Sequence, residues 1–189
     1  LVLIMSKLDK KLLDSNILII DDDISISNII KDSLLNDGFK HLMTLQNGKD
    51  GIKNLGIFKP DLIILDMQMP IMSGIEFLEN LKLENTDNLS IIVLTGKVED
   101  TSIEKAFQLG INAYLRKPFN LFALKGIVKQ TLTLKHIQNE LKKQLDIKNK
   151  LTTKLQEDKL HFMGLVQDKL TEHEKNTFMK ELFNFIEND

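Results

Sequence analysis

Three runs of four consecutive aliphatic residues constrain this chain more than any other feature: Ile17-Leu18-Ile19-Ile20, Leu62-Ile63-Ile64-Leu65 and Ile91-Ile92-Val93-Leu94. A strand with one wet face alternates apolar and polar residues. A strand covered on both faces reads instead as a continuous apolar run, the pattern of a parallel sheet between two helical layers. Each run stops at polar residues: Asp21-Asp22-Asp23, Asp66 and Thr95. Weaker strand patterns over 41–45 and 112–115 bring the count to five.

Helical patterns fill the intervals: Ile26, Ile29, Ile30, Ser33 and Leu34, then Ile75, Leu78 and Leu81, then Ile103 and Phe107. Turn signals punctuate them at Asn36-Asp37-Gly38, Asn47-Gly48, Lys59-Pro60, Ser73-Gly74 and Leu109-Gly110. Five β-α units in this order imply a doubly wound α/β domain with a five-stranded parallel sheet over residues 15–133, preceded by an N-terminal extension, 1–14. The apolar Leu1-Val2-Leu3-Ile4 is too short to span a membrane and lacks the basic start of a signal peptide. Met5 is a candidate natural start, and no function is assigned to the four residues before it.

Beyond residue 120 the character changes. Pro60, Pro70 and Pro118 all lie before it, and apolar residues then recur mostly every three or four positions: Ile127, Leu134, Ile137, Leu141, Leu145, Leu151, Leu155, Phe162, Val166 and Leu170. This is a helical period with an imperfect heptad, because Lys148 and Thr152 fall where a seam should be apolar. Thr171 and Glu174 have capping-box spacing, so one helix is expected to end near Leu170 and another to begin. The last helix would carry Phe178, Met179, Leu182, Phe183, Phe185 and Ile186 on one broad face. A single helix over 120–170 would extend about 75 Å at the usual rise, and its stripe would have no core of its own chain to cover it. Residues 134–189 are therefore expected to form a helical, coiled-coil extension that makes the protein a homodimer, with a folded-back hairpin as the competing solution.

Charge and cysteine content narrow the functional classes. A formal net charge of -2 gives no electrostatic footprint for nucleic acid or for an anionic membrane. The absence of cysteine removes disulfides and thiolate metal sites and fits a cytoplasmic protein.

In open parallel sheets ligands bind at the C-terminal ends of the strands, and Asp21, Asp22, Asp66, Thr95 and Lys117 all end or closely follow a strand in this reading. Carboxylates packed together repel unless they share a proton or bind a cation. Oxygen-only ligands suit a hard ion such as Mg²⁺. Beside such an ion Asp66 can act as a nucleophile toward a phosphoryl group. The Thr95 hydroxyl and Lys117 ammonium would stabilise the phosphoryl oxygens.

The residues 17–23, the run Leu65-Asp66-Met67-Gln68-Met69-Pro70-Ile71-Met72-Ser73-Gly74, Leu94-Thr95-Gly96 and Tyr114-Leu115-Arg116-Lys117-Pro118-Phe119 resemble the signatures of response-regulator receiver domains, in their order and spacing. The resemblance covers about residues 15–133. It implies a flavodoxin-like sheet of strand order 2-1-3-4-5, with Asp66 as phosphoacceptor for a sensor histidine kinase or phosphotransfer protein. It also implies Asp22 as a direct Mg²⁺ ligand, Asp21 as a ligand mainly through water, and the backbone carbonyl of Gln68 as another. Lys117-Pro118 should be a cis peptide, and Thr95 with Tyr114 should form the switch pair. Such a domain catalyses its own phosphoryl transfer and hydrolysis and controls a downstream protein partner, with no separate output enzyme seen here. Gly110-Ile111-Asn112-Ala113 departs from the small and acidic residues many receivers carry there.

Other readings fare worse. Asp23 is expected simply to cap a helix. A phosphohydrolase of the haloacid-dehalogenase type would also use an aspartate nucleophile, a strand-end threonine and a lysine, but it needs an acidic pair downstream of Lys117, where nothing suitable follows. The four histidines show no metal spacing. For the tail, the alternative to a partner-binding extension is the start of a longer regulator whose output domain lies beyond residue 189.

Overall fold

The three aliphatic runs form the three central strands. In the computed structural model the described residues are 10–83, 89–96, 100–169, 171–174, 176–177 and 180; the expected apolar face from Phe178 to Ile186 lies outside them. Five parallel strands, β1 (Asn16–Ile20), β2 (His41–Leu45), β3 (Leu62–Asp66), β4 (Ser90–Thr95) and β5 (Ala113–Arg116), lie in the order β2-β1-β3-β4-β5. Every residue of β3 and β4 is buried. The register pairs Ile20 with Leu65, Asp66 with Leu94 and Thr95 with Arg116, so the C-terminal ends line up along one edge. Among the described residues the helices that follow the strands are α1 (Ile24–Asn36), α2 (Gly48–Phe58), α3 (Gly74–Leu83), α4 (Asp100–Gln108) and α5 (Leu121–Lys169), and residues 10–13 before β1 are helical as well.

Alternating strand residues feed two cores. Ile17, Ile19, Leu62, Ile64, Ile92 and Leu94 pack with Ile30 and Leu34 of α1 and Leu124, Val128 and Leu132 of α5. Leu18, Ile20, Ile63, Leu65, Ile91 and Val93 pack with Phe77, Leu78 and Leu81 of α3 and Ala106 of α4. Each such aliphatic side chain gains roughly 1.5–3 kcal/mol from burial, which explains why the runs admit no polar residue.

Several local expectations shift. Ile29 is 54% exposed, and α1 buries Ser27, Ile30 and Leu34 instead. Ser27 is tolerated there because its Oγ donates to the Ile24 carbonyl at 3.0 Å. On α4 Ala106 is buried, whereas Phe107 is about half exposed. Strand β5 begins at Ala113 rather than residue 112; the Asn112 side chain instead accepts the Ile91 N–H at 2.7 Å. Asn47-Gly48 and Ser73-Gly74 are helix starts as well as turns. Asn47 Oδ1 accepts the Asp50 N–H, and Ser73 forms a capping box with Glu76.

The first of two compact units spans residues 1–138. Within it α5 is held to the sheet by ion pairs as well as by its apolar face. Lys125 and Lys129 clasp Asp37, each at 2.8 Å. Lys135 donates to the Asp61 carbonyl and carboxylate at 2.8 and 2.9 Å, and the other Asp61 oxygen accepts the Asn16 N–H. Next to it His136 Nε2 contacts Ser15 Oγ at 3.2 Å.

Burial lowers the His136 pKa below its ordinary 6.5. The unfolded chain therefore binds a proton that the folded chain resists, so stability is fully present above pH 6.5 and falls as the pH drops below it. In urea melts from pH 7.5 to 5.5 the wild type should lose up to about 1.4 kcal/mol per pH unit more than His136→Gln. Equal pH profiles would mean that the imidazole charges freely in the folded chain.

The second unit, 139–189, contributes the rest of α5. Its residues from 140 to 164 are all exposed. Thr171 caps the helical residues 172–174, its N–H and Oγ both donating to Glu174 Oε2, at 2.9 and 2.6 Å. Among the described residues no helix is long and apolar enough to cross a membrane.

Candidate functional site

Asp21 directly follows β1, Asp66 is the last residue of β3, Thr95 ends β4 and Lys117 follows β5. The in-register parallel strands thereby bring together residues far apart in the chain. Carboxylate oxygens of Asp21, Asp22 and Asp66 all lie within 4.8 Å of one another. Lys117 Nζ donates to Asp21 Oδ2 at 2.7 Å and to Asp66 Oδ2 at 2.9 Å. Asp21 is fully buried, Asp66 nearly so, and Asp22 is exposed at the mouth. Backbone amides complete the arrangement: Asp23 N–H donates to Asp21 Oδ1 at 3.0 Å and Gln68 N–H to Asp66 Oδ1 at 3.2 Å. Asp23 itself is the N-cap of α1, its carboxylate accepting from the Ser25 and Ile26 amides.

Burial pushes the Asp21 carboxyl above its ordinary pKa, even though Lys117 and the Asp23 amide pull the other way. Burial also opposes the charge on Lys117, but its hydrogen bonds and ion pairs with Asp21 and Asp66 outweigh this and raise its pKa. Three carboxylates and one ammonium carry a formal charge of -2, the deficit a divalent cation would neutralise. The donors are all oxygens, and one carboxylate opens to solvent, so the residues present fit a hard, partly hydrated ion.

The loop after Asp66 is shaped by backbone contacts. Met72 N–H donates to the Pro70 carbonyl at 2.8 Å and Gly74 N–H to the Met67 carbonyl at 3.0 Å. Between them Ile71 sits at φ +73°, a left-handed conformation rare for a β-branched residue. A Cβ on Gly74 would stand 2.7 Å from Met67 Cα and 2.8 Å from the Asp66 carbonyl oxygen. Because both are backbone atoms, Gly74→Ala should cost about 1–3 kcal/mol in a thermal or urea melt and displace the loop that presents Asp66. An unchanged melting point would mean that the loop yields without strain.

Thr95 also lines a cavity of about 120 Å³, together with Met67, Gln68, Ser102, Ile103 and Tyr114, among others. Thr95 is buried, whereas Tyr114 is 42% exposed, its ring edge-on to Phe107 at 6.0 Å and 85°. Lys117 N–H donates to the Thr95 carbonyl at 2.7 Å, and Lys117-Pro118 is cis, as the motif implied. Two features are not visible in the sequence: the bridge from Lys117 to Asp21 as well as Asp66, and the cavity lined by Thr95 and Tyr114. Neither has a local signal, since both depend on side chains from three or more elements meeting.

The response regulator receiver domain family matches residues 17–129. The chain is 32% identical over 114 residues to the probable chemotaxis protein CheY of Rhizobium etli, covering 60% of this chain and 88% of that protein. It is 33% identical over 142 residues to the hybrid signal transduction histidine kinase D of Dictyostelium discoideum, covering 75% of this chain but only 9% of that protein. The signal receiver domain of a putative LuxO repressor protein from Vibrio parahaemolyticus superposes with a TM-score of 0.62 at 27% identity, over 68% of this chain and 97% of that one.

Proposed function

The chain belongs to the response regulator receiver domain family, and from that premise we propose that it accepts a phosphoryl group on Asp66 from a histidine kinase or phosphotransfer protein. The observation that carries this is the convergence of the Asp21, Asp22 and Asp66 oxygens within 4.8 Å beside the Lys117 ammonium. Asp21, Asp22, Asp66 and the Gln68 carbonyl would hold Mg²⁺, which when bound would neutralise the carboxylates and the incoming phosphoryl oxygens.

An Asp66 carboxylate oxygen attacks phosphorus, the bond from phosphorus to the donor imidazole nitrogen breaks, and that nitrogen keeps the electron pair. Lys117, already on Asp66, pairs with a phosphoryl oxygen, and the Thr95 hydroxyl turns toward another. Tyr114 then rotates from its exposed place beside Phe107 into the cavity behind Thr95. This shifts an existing equilibrium of the face formed by α4, β5 and α5. The switched face controls a downstream protein partner. The helical extension from about residue 134 makes the chain a homodimer, which the exposed apolar run Leu141, Leu145, Leu151, Leu155 and Phe162 supports.

Incubation with acetyl phosphate and Mg²⁺ should add one acid-labile phosphoryl group per chain by intact mass, and chelation of the metal should prevent it. No incorporation with Mg²⁺ present would overturn the reading.

A further inference from the structure

We propose that the exposed stretch of α5 from 141 to 162 pairs antiparallel with the same stretch of a second copy, in a register that sets Lys148 of each copy against Asp158 of the other. This rests on the homodimer reading and adds its direction and register.

The frame comes from the residues this helix leaves in solvent. Leu141, Leu151, Leu155 and Phe162 are each more than half exposed, and their spacings combine the alternating threes and fours of a heptad. One seam position then holds Leu141, Lys148, Leu155 and Phe162, and the other holds Gln144, Leu151 and Asp158. Leu145 and Ile147 flank the seam and widen its apolar face. Thr152 falls outside it, contrary to the expectation from the coarser sequence pattern. The charged residues of this seam are Lys148 and Asp158.

Direction follows from those two charges. In a parallel, in-register pair each seam residue meets its own copy, which places Lys148 on Lys148 and Asp158 on Asp158, two like-charge layers in a desolvated seam. In an antiparallel pair the first seam position of one helix faces the second position of the other. A dyad at residue 153 sets Lys148 opposite Asp158, Leu151 opposite Leu155 and Gln144 opposite Phe162, and symmetry repeats each layer. Both charges are then paired with opposite sign, and two Leu–Leu layers form the centre. A slip of one heptad in either direction leaves Asp158 facing Leu141 or Leu155, so the charges also fix the register. The rim does not discriminate, because Lys154 meets a lysine in both arrangements: Lys154 in the antiparallel pair and Lys159 in the parallel one.

The test is sedimentation equilibrium of the full chain, with circular dichroism to verify helix content, for wild type, Lys148→Glu, Asp158→Lys and the double variant. Both positions are exposed in the chain, so neither substitution touches a core. Each single variant turns both charged layers into like-charge layers and should raise the dimer dissociation constant on the order of 100-fold. The double variant should return to within about threefold of wild type, as should an equimolar mixture of the two single variants. Dimers that persist unchanged in both single variants, with no further effect of the double, would replace the antiparallel register with a parallel one while keeping the homodimer. A monomeric wild type at tens of micromolar would overturn the homodimer itself and leave the stripe for a different protein.

Discussion

Asp66→Asn is expected to reduce phosphoryl incorporation from one group per chain to none detectable, with the fold retained. The substitution replaces one carboxylate oxygen by an amide nitrogen of nearly equal size. The remaining oxygen can still accept the Gln68 amide, which lies 3.2 Å from Asp66 Oδ1, and Lys117 keeps Asp21 as an acceptor at 2.7 Å. What is lost is the nucleophile, since a neutral amide has no anionic oxygen to attack phosphorus. The neighbouring carboxylates are poor substitutes. Asp21 is fully buried, with Lys117 on one oxygen and the Asp23 amide on the other. Asp22 follows β1 rather than ending β3, so its oxygens approach the pocket from another strand. Intact mass after treatment with acetyl phosphate and Mg²⁺ measures the outcome, and stoichiometric labelling of the variant would move the phosphoacceptor elsewhere.

Removal of the bridging cation should have the largest effect on stability. Lys117→Ala leaves Asp21 and Asp66, both almost wholly inaccessible to water, without their shared ammonium. Breaking a buried ion pair by deleting one partner typically costs 3–5 kcal/mol, because the remaining charge is desolvated and unpaired; a loss of about that size is expected in urea at neutral pH without metal. A divalent cation can restore the missing charge. Mg²⁺ should therefore raise the urea midpoint of Lys117→Ala more than that of the wild type, through binding to the folded state alone. If the variant matched the wild type without metal, the two carboxylates would have to be relieved by water or a shared proton instead of by Lys117. A midpoint insensitive to Mg²⁺ in both proteins would count against the metal site.

How much of this architecture is legible in the sequence depends on how local its causes are. The apolar runs of β1, β3 and β4 announce themselves, because a polar side chain in the middle of a strand covered on both faces finds no partner, and the buried polar residues Asp66, Ser90 and Thr95 stand at strand ends. The weak strand β2 is also placed at 41–45, whereas β5 is shifted by one residue. At its edge Asn112 takes over a backbone-like hydrogen bond to Ile91 that no propensity encodes. Helix faces are less secure. Ile29 and Phe107 fit a helical period, yet both are about half exposed, because the turn of each helix against the sheet is set by the neighbours it meets. Ser73 and Glu76 do carry a readable capping-box signature that the turn-like Ser73-Gly74 pair obscures.

Local pattern is enough for the five-stranded parallel sheet, the placement of Asp21, Asp22, Asp66, Thr95 and Lys117 at strand ends, the cap at Asp23 and the long helix after residue 120. These arise from period, run length and residue chemistry within a few positions of each other. The folded arrangement is needed for Lys117 to grip Asp21 across 96 residues of sequence as well as Asp66. It alone set Tyr114 against Phe107 with a cavity behind it, and it alone tied α5 down through Asp37, Asp61 and Ser15. Such pairings depend on the register of strands and the rotation of helices about their axes, which are fixed when the two cores close around the sheet.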